Sequence, residues 1–184
     1  IKMIIWIIGG ILVFLLILFI FLYNALIRLR NQVKNAFAQI DVQLKRRNDL
    51  IPNLVETVKG YMKHEKTLLE NVTKARSAIM KASSVDKKAK ASGELTNTLK
   101  SLFAVSENYP ELKANESFLQ LQEEITGTEN KISYARQHYN DITTRFNTKI
   151  QLFPNNIFAN MLGFGKEDLF AATEAERKNV KVKF

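Results

Sequence analysis

Between Met3 and Tyr23 the chain runs 21 residues without a charged or amide side chain, and its only hydroxyl is that of Tyr23. As an α-helix this stretch is ~31 Å long, close to the hydrocarbon thickness of a bilayer, and it is predicted to span a membrane. Trp6 and Tyr23 sit near its two ends, where amphipathic rings favour the interface. The run is longer than the apolar core of a typical signal peptide, and no small-x-small cleavage pattern follows it. Tyr23-Asn24-Ala25-Leu26 leads straight into an amphipathic pattern. Residues 1–24 are therefore expected to be a retained anchor. Gly9-Gly10 also permits close helix contact within the bilayer.

The net charge is +9, and its placement says more than its size. Residues 24–82 hold 12 Lys/Arg against 5 Asp/Glu, so the excess follows the span. Arg28, Arg30 and Lys34 come after it, against Lys2 before it. Basic flanks mark the cytoplasmic side, which predicts a short N-terminus outside and a cytoplasmic body. No basic stretch is interleaved with aromatic residues, so no nucleic-acid partner is expected. The absence of cysteine excludes disulfides, thiolate zinc sites and cysteine nucleophiles. His64 and His138 are the only histidines, and neither a metal nor a cofactor is expected.

Beyond the span, apolar residues recur at helical intervals. Leu26, Leu29, Val33, Ala36, Phe37, Ile40 and Leu44 form a stripe in phase with the span, so the membrane helix should continue into this segment. Asn48 to Pro52 is read as a turn with Asp49 capping a second helix, because proline disfavours helical geometry before it and suits a first turn. A continuous rod from Ala25 to Ala82 is the alternative. The next stripe is Leu54, Val58, Tyr61, Leu68, Val72, Ala75 and Ile79. Ser83 to Asp86 reads as loop and cap, ahead of a helix with Leu95, Leu99, Leu102, Phe103 and Ser106 inward and Tyr109-Pro110 at its end. Asn115 caps the last long helix. Its stripe of Phe118, Leu121, Ile125, Thr128, Ile132, Ala135, Tyr139, Ile142 and Phe146 is a heptad seam of the coiled-coil type.

The expected fold is all-α: a transmembrane helix continuing into an up-and-down four-helix bundle over residues 25–151. An aromatic-rich tail, 152–184, follows after Phe153-Pro154. The tail holds Phe153, Phe158, Phe164, Phe170 and Phe184. Asn156 to Leu162 is expected to be a short helix ended by Gly163. Val180, Val182 and Phe184 alternate with lysines, the pattern of a strand or edge-pairing segment. These aromatic and β-branched residues have three uses open to them: covering their own bundle, lying among lipid headgroups, or docking on a second copy.

Three groups of residues together resemble the LemA family. The first is Arg46-Arg47-Asn48-Asp49-Leu50-Ile51-Pro52-Asn53-Leu54-Val55 with Val58-Lys59-Gly60-Tyr61. The second is Tyr109 to Asn115 with Phe118 to Gln122, Thr128-Glu129-Asn130, Ala135-Arg136 and Tyr139-Asn140. The third is Phe146 to Ile150 with Phe153-Pro154 and Phe164. The resemblance implies a single-pass protein of the bacterial plasma (inner) membrane with a helical bundle, and it carries no catalytic residues to transfer.

Candidate chemistry is sparse. Glu129, Arg136 and Asn140 fall on one face of the last helix, with Asn130 beside them; they are read as a polar layer setting helix register, or a solvated face, rather than an acid–base pair. Arg46, Arg47 and Asp49 are read as turn and cap chemistry. Gly163-Phe164-Gly165-Lys166 lacks the spacing of a phosphate loop, and His64-Glu65 lacks the second histidine of a metalloprotease. If the chain turns at Pro52, Lys74, Arg76, Lys81, Lys87, Lys88 and Lys90 return toward the bilayer beside Arg28, Arg30 and Lys34, each contributing about 1 kcal/mol at an anionic leaflet. The functional expectation is a non-enzymatic, self-associating membrane scaffold. The alternative is an adaptor or sensor that binds a specific envelope protein.

Overall fold

The computed structural model describes residues 2–170. Among them it has six helices and no strand: α1 Lys2–Lys59, α2 Lys66–Lys81, α3 Val85–Ser106, α4 Pro110–Lys113, α5 Glu116–Lys149 and α6 Asn155–Met161. The apolar run opens α1 and is long and apolar enough to cross a membrane; it is exposed over most of its length, with Leu22 buried at its end. The segment from Val180 to Phe184 lies outside the described residues.

The turn expected at Pro52 is absent, and α1 passes through it. A proline lacks the N–H that would meet the carbonyl four residues back, here that of Asn48. Arg76 of α2 replaces the missing donor: its Nε donates to Asn48 O at 3.0 Å, and Asn48 Nδ2 reaches Arg76 O at 3.4 Å. The proline ring itself is exposed and has room. Asp49, expected as a cap, lies inside α1 and faces Lys45 at 3.4 Å on the surface. The first interruption comes instead at residues 60–65, where Met62 N–H closes the helix on Val58 O at 2.9 Å. With the break moved, Ile40, Leu44, Arg47, Ile51, Leu54 and Val58 form one buried stripe. α2 begins at Lys66 with its own phase, which turns Leu69 inward rather than Leu68.

The chain divides into two compact units. One contains the start of the chain to Ala36 with His138–Asp168; the other contains Phe37–Gln137 with, among the described residues, Leu169 and Phe170.

In the second unit, α2 and α3 bury Val72, Ala75, Ile79, Leu95, Leu99 and Leu102. Ser84 caps α3 by accepting from Lys87 N–H at 3.3 Å, which satisfies one of the free donors of a helix start. Asn115 Oδ1 does the same for α5, accepting from Phe118 N–H at 3.0 Å, while its amide donates to Tyr61 Oη. Cross-helix pairs give the helix directions. Lys88 meets Asp41 and Ser92 meets Arg47, so α1 and α3 run the same way. Thr96 meets Glu129 and Phe103 meets Phe118, so α5 runs against α3.

In the first unit the start of α1 and the end of α5 bury Leu22, Leu26, Val33, Tyr139 and Phe146. Phe164 is buried against Phe146 with ring centroids 6.4 Å apart. Asn147 clamps the backbone of Glu167 from both sides, donating to its carbonyl at 2.8 Å and accepting from its N–H at 2.9 Å. α6 ends as the sequence predicts. Gly163 takes φ +71°, and Phe164 N–H and Gly163 N–H return to the carbonyls of Ala159 and Asn160, the Schellman arrangement that favours glycine.

Candidate functional site

The most elaborate polar arrangement lies in the second unit, where α1, α3 and α5 meet. Arg47 occupies a core position of the α1 stripe and is fully buried. Its Nη2 donates to Ser92 Oγ at 2.9 Å and lies 3.4 Å from Ser92 O. Its Nη1 donates to Thr96 Oγ1 at 3.0 Å and to Glu129 Oε2. Thr96 Oγ1 also lies 3.0 Å from both Ser92 O and Glu129 Oε1, and its single proton serves one of them. Burial pushes the Arg47 guanidinium below its ordinary range, and the Glu129 charge and hydrogen bond oppose that shift.

Desolvating an ion costs several kcal/mol, so a buried guanidinium needs an opposite charge and acceptors; here Nη1 and Nη2 are matched and Nε has no hydrogen-bond partner among the described residues. Glu129 supplies the opposite charge, and Ser92 and Thr96, one turn apart on α3, supply the acceptors. The layer therefore ties three helices at one level.

Beside the layer is a cavity of about 230 Å³, lined by Thr96, Lys100, Glu129, Asn130, Arg136 and Phe170 among others. Of the candidates on the last helix, Glu129, Asn130 and Arg136 share this space, and Asn140 does not line it. Glu129 Oε2 accepts from Arg47 and Oε1 lies 3.0 Å from Thr96 Oγ1, so the carboxylate is held in place as a structural partner of Arg47. Arg47 itself is no turn residue. The signal that marks it is spacing: Leu44, Arg47, Ile51 and Leu54 step by three and four.

The basic residues expected at a membrane surface are placed differently from one another. Arg28 and Lys34 are exposed, and Arg30 stands 3.8 Å from Glu167 with its guanidinium 5.7 Å from the Phe164 ring. Arg76 is engaged with Asn48. Lys88 is bound to both oxygens of Asp41, at 2.7 and 2.8 Å, and lies over the Phe37 ring. Lys90 pairs with Asp86 at 2.9 Å, and Lys74, Lys81 and Lys87 are exposed. Trp6 is 82% and Tyr23 39% exposed on α1. Of the tail residues, Phe164 and Phe170 are buried, Phe158 is half-buried and Phe153 is exposed. Val180, Val182 and Phe184 lie outside the described residues.

The LemA family profile matches residues 36–184 of this chain. The chain belongs to the LemA family. It is 33% identical over 171 residues to Protein LemA of Metamycoplasma hominis, an alignment covering 89% of this chain and 77% of that protein. It is 22% identical over 174 residues to magnetosome protein MamQ 2 of Paramagnetospirillum magneticum and 20% identical over 174 residues to magnetosome protein MamQ of Magnetospirillum gryphiswaldense. Both alignments cover 80% of this chain, which spans 64% of the length of either magnetosome protein. The match to the family profile begins after the apolar span. The LemA-like motifs converge in the structure: Arg47 of the first group meets Glu129 of the second, and Asn48 next to it takes part in the bridge that carries α1 past Pro52.

Proposed function

We propose that this LemA-family chain is a non-catalytic membrane scaffold. It would be a single-pass protein of the bacterial plasma membrane, with residues 1–24 as anchor, residues 25–151 as an up-and-down four-helix bundle on the cytoplasmic side, and residues 152–184 as a tail. It self-associates and so organises lipid or partner proteins. The observation that carries this reading is α1 itself. One helix without a break holds both the 21-residue apolar run, exposed along most of its length, and the buried stripe of the folded body, so anchor and body share one element. Arg28, Arg30 and Lys34, within three turns of Tyr23, are the residues proposed to meet anionic headgroups. Lys88 is tied to α1 at Asp41.

The test is the mass and symmetry of the full chain extracted in mild detergent. A defined oligomer supports the scaffold; a monomer overturns self-association, and recovery in the soluble fraction after cell breakage overturns the anchor. The adaptor reading has its own observation. A groove of about 650 Å³ between the end of α1 and α2 has Val55, Met62 and Leu69 in its lining, with Lys59, Lys63 and Lys66 around them. This is a surface suited to an acidic segment with an apolar face. A stoichiometric co-purifying protein, lost on Leu69→Asp, would favour it.

A further inference from the structure

We propose that the segment around α6 is a second membrane contact, a foot lying in the headgroup–acyl boundary beside the end of the span; this rests on the anchor reading and adds a site to it. Three observations within the first unit converge. In a chain with 24% charged residues, Ile150 to Gly165 contains none, while Arg145, Lys149 and Lys166 flank it. α6 also rests on the span itself: the Phe158 ring packs edge-on against Phe19, 5.5 Å between centroids at 65°. Phe19 is inside the apolar run, one turn before Tyr23. Finally, the segment presents Phe153, Ile157 and Met161 outward, 80%, 55% and 65% exposed, with Leu152 and Leu162 beside them. Asn155 and Ala159 are its buried positions.

These facts together select lipid as the occupant. The contact with Phe19 fixes the depth of α6 at a level where the span is surrounded by bilayer. An apolar face held at that level is covered by acyl chains about 5–10 Å into the boundary, as for amphipathic helices that lie in the membrane plane. The polar side chains of the segment are all amides, Gln151, Asn155, Asn156 and Asn160; the exposed ones, Gln151 and Asn160, suit the headgroup layer without the cost of burying charge. Lys149 and Lys166 then sit at its edges, where anionic phosphates are. A span with such a lateral foot is fixed in rotation about its own axis.

The chain has no cysteine, so single cysteines introduced by Phe153→Cys, Ile157→Cys and Met161→Cys can each carry a nitroxide. These side chains are exposed, so replacing them leaves the packing intact. The full chain is reconstituted into phosphatidylcholine vesicles containing phosphatidylglycerol, and collision with oxygen is compared with collision with a water-soluble nickel chelate. Leu16→Cys in the span and Glu123→Cys on α5 are the lipid and water references. The expected result is that all three positions favour oxygen, as Leu16→Cys does. Preference for nickel, as at Glu123→Cys, overturns the foot while an oxygen-favouring Leu16→Cys leaves the anchor standing. Shielding from both reagents also overturns it, since a second copy would then cover the face. Nickel access at Leu16→Cys overturns anchor and foot together.

Discussion

Arg76→Met tests why α1 survives a proline in its interior. The substitution keeps much of the stem and removes the donor that meets Asn48 O at 3.0 Å. No backbone N–H replaces it, because residue 52 is proline. A hydrogen bond from a charged donor contributes about 1.5–3 kcal/mol, and Asn48 is only 5% exposed, so water rescues its carbonyl poorly. The expected loss is about 2 kcal/mol. Pro52→Ala restores an N–H aimed at the same carbonyl. In that background Arg76→Met should cost about 0.5–1 kcal/mol, giving a coupling of about 1–1.5 kcal/mol between two residues that do not need to touch. Urea unfolding of the four detergent-solubilised full-length proteins, followed by far-ultraviolet circular dichroism, measures it. Equal cost of Arg76→Met in both backgrounds would refute the bridging role and leave the passage through Pro52 to side-chain packing alone.

Glu129→Gln removes the counter-charge of a fully buried Arg47 and should destabilise the second unit by about 3–5 kcal/mol, whereas Glu123→Gln on the exposed face should change little; thermal unfolding in detergent separates them. Asn147→Leu deletes both hydrogen bonds to Glu167, and tryptic cleavage after Lys166 should become much faster than in the unaltered protein. Burial raises the Tyr139 phenol above its ordinary value, with the nearby Glu167 and Asp168 charges adding to the shift and a Thr143 hydrogen bond opposing it. A raised folded-state value means stability is intact below about pH 10 and falls as pH rises through the folded-state value, since the unfolded chain loses its proton first. Tyr139→Phe should abolish that alkaline loss while costing about 1 kcal/mol at neutral pH for the bond to Asp168 O.

Several elements are legible residue by residue. The α5 seam from Phe118 to Phe146 is carried by three- and four-residue steps, and Phe118, Ile125, Thr128, Ile132, Tyr139 and Phe146 are buried, while Leu121, Ala135 and Ile142 are half-buried and Thr143 takes the buried place beside Ile142. Ser84, Asn115 and Gly163 act at the helix ends where their chemistry suits them. The misreading at Pro52 follows from a local rule applied without its tertiary exception. It also hid Arg47, because dividing the stripe there removed the one clue that an arginine stood in a core position. A four-residue helix after Tyr109 was likewise invisible, being too short to show a period.

Length and spacing along the chain were enough to establish an apolar run of membrane-spanning length joined to amphipathic helices, because burial of apolar area depends on which residues share a face, and that is a property of neighbours in sequence. The fate of α1 at Pro52 and of the guanidinium at Arg47 depended on partners elsewhere in the chain. Arg76, Ser92, Thr96 and Glu129 stand 28, 45, 49 and 82 positions from their α1 counterparts. A hydrogen bond acts only over a few ångströms and in one direction, so folding alone decides which distant polar atom arrives to make it.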